Sequence, residues 1–285
     1  MTSSPPSSPA AASAPSSMRA GAQALAPAHS LSLLAAARIA GLLIATTAFF
    51  AAFLLRRLLL RDPGQRFRAA ARWSRRWAAV CCRIAGYRVT SRGPAPPPGS
   101  LVAPNHYGYA DILALGSCAP LLFMTKTSIA EAPVVGFLVR VAELVHTSRR
   151  KSRDIHDTAG QMRARLQHGA SIAIFLEGTS TGGDRVLPFR PSFLQPVIDA
   201  GAPVVPVAIQ WKPSDPAVSV AEDIAYWKDH EFGSHVFRQL GLRGLAVEIT
   251  FGPPIPSARM DRKQLADAAR REVLALLGRS GEGAD

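Results

Sequence analysis

The sequence predicts an α/β protein: a single domain with a largely parallel or mixed sheet covered by helices, preceded by an N-terminal membrane helix. Three observations carry this. From residue 100 onward short apolar runs alternate with helical stretches, the alternation of one α/β domain. Several of those runs are apolar throughout, as strands covered on both faces are. A charge-free apolar segment near the start precedes an arginine-rich flank.

Residues 1–30 are mostly Ser, Pro and Ala, a composition that buries no core and predicts a disordered tail. Segment 31–60 predicts a membrane-anchoring helix. Its centre, "IAGLLIATTAFFAAFLL" from Ile39 to Leu55, is 17 residues without a charge, and it extends back to Leu31 if Arg38 snorkels. A buried core helix is the other reading of that length. A cleaved signal peptide fits less well, because the positive charge comes after the apolar run.

The formal net charge is +13, and +10 of it lies between Arg56 and Arg92, where eleven arginines accompany one acidic residue, Asp62. The positive-inside rule therefore keeps the chain beyond the apolar segment in the cytoplasm and places the protein at the cell (inner) membrane. Segment 61–92 predicts a basic membrane-interface helix: "RFRAAARWSRRWAAVCCRI" interleaves Arg with Phe67, Trp73, Trp77, Val80 and Ile84. Such a helix suits the headgroups of anionic membrane lipids, and a solvated face is the plainer alternative. No nucleic-acid partner is expected, because no base-reading or stacking motif accompanies the charge.

Residues 93–278 form the α/β domain, entered through the turn-forming "GPAPPPG", with 279–285 a frayed tail. Strand candidates are "SLVA" at 100, "PLLFMTK" at 120, "AELVHTS" at 142, "SIAIFLE" at 171, "PVVPVAI" at 203 and "LAVEITFG" at 245. Helical stretches include Asp154 to His168 and Arg262 to Leu277. Three cysteines, two of them vicinal, make no disulfide framework and fit a reducing compartment. No Cys/His cluster has metal-ligand spacing, so no metal is expected.

The first candidate for chemistry is "NHYGYAD" from Asn105 to Asp111. Five residues along a helix advance roughly 500°, leaving His106 and Asp111 roughly 140° apart, and on a strand odd spacing puts them on opposite faces. They meet only across a strand-to-helix turn, for which Pro104, Asn105 and Gly108 supply the chemistry. There a carboxylate holds one imidazole nitrogen and leaves the other free as a base. A capped helix with an incidental His is the alternative. The second candidate is "FLEGTSTGGDRVLPFRPSF" from Phe175: a strand ending in a carboxylate and a Gly-rich loop, with Arg185 and Arg190 as cations suited to phosphate. A third strand end, "HTSRRKSR" from His146, is basic. All three fall at one rim of the sheet, where open α/β sheets bind ligands.

These blocks resemble the glycerolipid acyltransferases typified by bacterial 1-acylglycerol-3-phosphate acyltransferase. "NHYGYAD" resembles the Asn-His-x4-Asp block, "FLEGTS" the Phe-Pro-Glu-Gly-Thr block, "VHTSR" the strand-plus-Arg block and "VVPVAI" the Val-Pro-Val block. The run to Phe193 and the later "FGPPI" look most like the branch of lyso-ornithine-lipid acyltransferases. The resemblance implies acyl transfer from acyl-CoA or acyl-carrier protein, as co-substrate, to a lysolipid hydroxyl, with no cofactor. It implies His106 as general base and Asp111 as the residue that orients it. Glu177, Gly178 and Thr179 would position the acceptor, and Arg149 would meet its head group. Two departures matter: Ser180 stands where phosphate-binding members have Arg, and the Arg149 block lacks its usual Gly. Either Arg185 or Arg190 replaces the missing contact, or the acceptor carries no phosphate monoester.

Two other classes remain open on the residues alone. One is a lipid hydrolase using Ser180 or Ser171 with His106, although no G-x-S-x-G elbow is present. The other is a non-catalytic basic membrane adaptor.

Overall fold

The computed structural model describes residues 28–126, 142–147 and 152–280. Of the tails predicted at 1–30 and 279–285, residues 1–27 and 281–285 lie outside these residues, as does the candidate Arg149, whereas 28–30 begin the first helix. Among the described residues there are seven strands: β1 (Tyr87–Arg92), β2 (Leu101–Pro104), β3 (Leu121–Lys126), β4 (Val145–Thr147), β5 (Ser171–Ala173), β6 (Val204–Pro213) and β7 (Leu245–Phe251). They form one sheet in the order β1-β7-β6-β2-β5-β3-β4. Of the strand pairs among these residues, β6–β7 is antiparallel and the rest are parallel. The helices among the described residues are α1 (Ala28–Leu58), α2 (Pro63–Ala85), α3 (Tyr109–Cys118), α4 (Ser152–Gln167), α5 (Gln195–Asp199), α6 (Phe232–Gly241) and α7 (Arg262–Leu276).

The central strand, β2, is buried at all four residues, as expected where helices cover both sheet faces. Side chains divide by strand alternation. Val102, Val205, Val207 and Ile209 point into a core shared with α1, α2, α3 and α6. Leu101, Ala103, Ile172 and Val204 point into a second core with α4, α5 and α7. The chain leaves β2 through α3, skips one position to build β3, and later inserts β5 into the gap. That crossover places the carboxyl ends of β2 and β5 side by side, with "NHYGYAD" leaving the first and "FLEGTS" the second.

Six of the seven strands lie on the runs that the sequence pattern selects. β1 does not: "YRVTSR" buries only Tyr87 and exposes most of its length, so it reads as the end of the basic segment. It forms a strand because it pairs in parallel with β7 over six residues, at the sheet's edge. Segment 61–92 thus divides into helix and edge strand.

α2 starts at an Asp62 cap, whose Oδ2 accepts the Gln65 N–H at 2.6 Å, followed by Pro63 at the first helical position. It buries a face of small residues, Ala70, Ala71, Ala78, Cys81, Cys82 and Ala85. The sequence aimed Trp73 and Trp77 at a headgroup layer, but both turn onto α1. Trp73 Nε1 donates to the Phe49 carbonyl at 2.8 Å and Trp77 Nε1 to Thr46 Oγ1 at 3.1 Å, because a half-buried indole N–H needs an acceptor. Arg72, Arg75, Arg76 and Arg83 remain on the exposed side.

α1 is long and apolar enough to cross a membrane, with mean hydropathy 2.0 in an 18-residue window within Ser32–Leu58. Only 6% of its apolar window is buried, which removes the core-helix reading. Leu33, Leu43, Ile44, Leu55 and Leu58 face outward. Arg38 does not snorkel. Its Nη1 donates to the carbonyls of Leu240 at 2.9 Å and Leu242 at 2.6 Å, completing the carboxyl end of α6, whose last carbonyls have no partner within the helix. Arg38→Ala is expected to lower the unfolding free energy by about 1.5–3 kcal/mol, the range for hydrogen bonds to a charged group. The measurement is a reduced urea midpoint in mild detergent at unchanged slope.

Candidate active site

The exit of β2 is pinned first. Asn105 Oδ1 accepts the Ile209 N–H at 2.7 Å, and its Nδ2 donates to the Ile209 carbonyl at 3.1 Å, so the turn is fixed to β6. The chain then passes through His106, Tyr107 and Gly108 before α3 begins. Asp111, in the first turn of α3, is wholly buried. Its Oδ2 accepts the N–H groups of Tyr107 (2.6 Å) and Gly108 (2.8 Å) and lies 2.9 Å from His106 Nδ1. Its Oδ1 accepts Trp211 Nε1–H at 2.8 Å, across from β6. His106 and Asp111 therefore meet across the strand-to-helix turn, the one arrangement their spacing permits. Gly108 allows the close approach: a Cβ there would lie 2.9 Å from the Tyr226 backbone nitrogen.

Three N–H donors already converge on the Asp111 carboxylate, so the imidazole completes it as a fourth, with its proton on Nδ1. Nε2 is left with a lone pair and has no partner among the described residues. The ring is held flat against Phe175, with centroids 3.8 Å apart and planes at 21°. His106 lines a cleft of about 420 Å³. Met124, Ile174, Phe175 and Phe193 supply apolar wall, and Tyr109, Tyr226, Trp227 and Lys228 add aromatic and cationic lining.

Glu177 sits differently from the sequence expectation. It is 2% exposed and does not line the cleft. Its Oε1 accepts the His106 N–H and its Oε2 the Leu187 N–H, each at 2.8 Å, so it ties the loop after β5 to the loop after β2. Thr181 N–H adds a bond to the His106 carbonyl at 3.0 Å. Gly178, Thr179 and Ser180 continue from Glu177 into the cleft wall. Gly178 has φ +74, a left-handed conformation that favours glycine, and the Arg190 guanidinium packs against its open face. The Ser180 hydroxyl donates to the Tyr226 carbonyl at 2.5 Å. Ser171 stands at the opposite end of β5 with its hydroxyl on the Pro97 carbonyl.

Arg185 and Arg190 are exposed and neither lines the cleft; Arg185 lies 3.8 Å from Asp184. The cation on the cleft wall is Lys228. No group of three metal-ligating side chains occurs among the described residues. Sequence reasoning missed Trp211, Tyr226, Trp227 and Lys228. Trp211 alone carried a signal, since a Trp ending an apolar strand needs a buried acceptor for its N–H.

Burial raises the Glu177 carboxyl to about 7, against the two backbone N–H bonds that favour its charged form. A raised acid stabilises the fold fully below its unfolded value of 4.5, and that contribution fades as pH rises through 7. Relative to the non-titrating Glu177→Gln, the wild type is expected to lose on the order of 2–3 kcal/mol between pH 4.5 and pH 8. Paired denaturant titrations across that range check it.

Residues 87–210 match the family model described as Acyltransferase, and His106, Asp111 and Glu177 all lie inside that stretch. The chain is 34% identical over 209 residues to a lyso-ornithine lipid O-acyltransferase of Pseudomonas aeruginosa, covering 73% of this chain and 79% of that one. It is 32% identical over 211 residues to a protein of the same name from Rhodobacter capsulatus, covering 72% and 73%. A 1-acyl-sn-glycerol-3-phosphate acyltransferase of Neisseria gonorrhoeae is 28% identical over 193 residues, covering 67% and 74%. The crystal structure of the 1-acyl-sn-glycerophosphate (LPA) acyltransferase of Thermotoga maritima shares the fold, with TM-score 0.58 over 87% of this chain and 95% of that one at 20% identity. With relatives above 30% identity matched over more than two thirds of their length, this chain belongs to the acyltransferase family and is an acyl-transferring enzyme.

Proposed function

We propose that the protein is a membrane-anchored O-acyltransferase that moves an acyl chain from acyl-CoA or acyl-carrier protein to the free hydroxyl of a lysolipid. The observation that carries this is the His106–Asp111 pair, with Nε2 of the imidazole free in the cleft. His106 Nε2 takes the proton of the acceptor hydroxyl, and that oxygen attacks the donor's thioester carbonyl. Asp111 holds the imidazole in its Nδ1–H form and stabilises the imidazolium. Thr179 and Ser180 line the cleft, and their N–H groups have no backbone partner among the described residues, so they are the donors we assign to the tetrahedral oxyanion. Collapse expels the thiolate, which His106 reprotonates, leaving the ester.

For the acceptor we favour lyso-ornithine lipid, with 1-acylglycerol-3-phosphate as the second reading. Ser180 is neutral with its hydroxyl engaged, and neither Arg185 nor Arg190 lines the cleft, which favours an acceptor without a phosphate monoester. Arg149 keeps its place as a head-group candidate. Gly178 and Thr179 act from the cleft wall, and Glu177 acts as the brace beneath them. The hydrolase reading loses support, because Ser180 is bound to a carbonyl and Ser171 lies at the other end of its strand. The outward apolar face of α1, beside the exposed arginines of α2, suits an anionic leaflet of the inner membrane, with the catalytic domain on the cytoplasmic side.

The test is acyl transfer by purified protein in detergent, using labelled acyl-CoA and acyl-carrier protein against a panel of lysolipids. His106→Ala is expected to lose roughly 10²–10⁴ in rate while still folding cooperatively, with its unfolding midpoint lowered by the loss of one donor to Asp111. Asp111→Asn, whose amide brings two N–H donors to a site that needs acceptors, is expected to lose both rate and stability. Full activity in His106→Ala overturns the reading.

A further inference from the structure

Lys228 occupies an unusual backbone position. Its φ is +54°, a left-handed conformation that a lysine rarely adopts and that costs on the order of 1 kcal/mol or more. The strain sets its amine at the cleft. Nζ lies 4.0 Å over the Trp227 ring and 3.6 Å from Glu222 Oε1. Both members of that ion pair are more than half exposed, and such pairs contribute little to stability. The pair therefore does not offset the strain that holds it in place.

The parts around it are fixed. Trp227 Nε1 donates to the Ala221 carbonyl at 2.8 Å, and the ring packs so closely on Gly182 that a Cβ there would come within 2.8 Å. Glu222 belongs to the turn Val220–Ile224, closed by the Ser219 N–H on Asp223 Oδ2 at 2.7 Å and by the ion pair of Asp223 with Arg238. Lys228 and Trp227 line the cleft, and Glu222 lines the adjoining pocket with His230 and Arg238, its Oε1 3.6 Å from Lys228 Nζ and its Oε2 3.8 Å from His230 Nε2, so a cation and an indole face at the cleft have an anion beside them on a rigid support.

We propose that Lys228, Glu222 and Trp227 form the head-group subsite of the acceptor and select a zwitterionic amino-acid head, a carboxylate and an ammonium on one lipid. Lys228 Nζ holds the Trp227 face and Glu222 itself; on swinging to the head group's carboxylate it leaves both to the head group's ammonium. A phosphate monoester, anionic only, meets Lys228 but is repelled by Glu222. The proposal rests on the acyltransferase reading and names what recognises its acceptor.

The test measures KM and kcat for lyso-ornithine lipid, for lysophosphatidate and for the acyl donor, with wild type, Lys228→Met, Lys228→Gly and Glu222→Gln in mixed micelles. Lys228→Met and Lys228→Gly are each expected to raise the KM of lyso-ornithine lipid roughly tenfold with kcat and donor KM unmoved, about the worth of one charge-assisted contact. Lys228→Gly also relieves the backbone, so it loses acceptor affinity while unfolding no earlier than wild type. Glu222→Gln is expected to raise the KM of lyso-ornithine lipid and to leave or lower that of lysophosphatidate. An unchanged acceptor KM in both Lys228 variants overturns the subsite, as does a shift confined to the donor. A wild type silent toward every lysolipid overturns the acyltransferase reading and the subsite with it, whereas an active wild type with unmoved variants overturns the subsite alone.

Discussion

The wholly buried carboxylate of Asp111 constrains everything else at the site. A carboxylate removed from water costs several kcal/mol unless donors converge on it. The fold supplies four: two turn amides, the Trp211 indole from β6 and the His106 imidazole. The amides set the shape of the turn, and the indole ties that turn to the sheet. The imidazole, completing the set, is left with its proton on Nδ1 and its lone pair facing the cleft. The orientation of the His106 imidazole is therefore a consequence of satisfying a buried anion.

Glu177 solves the same problem in a different way. Its two oxygens take only backbone amides, one from each loop it joins, and no cation compensates it closely. Burial consequently wins and its carboxyl rises to about 7. Two carboxylates at one rim thus have separate roles, one orienting an imidazole and the other knotting the loops that carry it. The Glu-Gly-Thr run is a folding device at its first residue and a cleft wall at the next two.

How far apart the interacting residues lie decides how much was legible in the sequence. His106 and Asp111 are five apart, and turn chemistry between them restricts how they can meet. The strands of the sheet's interior were legible because burial on both faces leaves apolar runs. β1 was not, since an edge strand with arginines at its exposed positions carries no such run. Trp211 touches Asp111 across 100 residues of chain, and only the sheet order brings them together. Lys228 is one lysine in a loop; its backbone strain and its neighbours Glu222 and Trp227 have no signature in the order of residues. α2 was read by its arginines and tryptophans, whereas its packing is decided by the small residues between them.

The same packing bears on how the proposed anchor meets the bilayer. From Arg38, bonded to the end of α6, to Phe53, against Trp73 of α2, α1 runs beside the domain. Those fifteen residues cover about 22 Å of helix. A perpendicular crossing of about 30 Å of hydrocarbon would draw α2, with its exposed Arg72, Arg75 and Arg76, into the apolar layer. An α1 lying in the interface avoids this. Its outward leucines would then enter the acyl region and the arginines of α2 would stay among headgroups, while the donors of Arg38, Trp73 and Trp77 remain satisfied within the protein. In that position the cleft would stay on the surface from which the proposed lysolipid arrives, with its chain still in the leaflet and its hydroxyl brought toward His106.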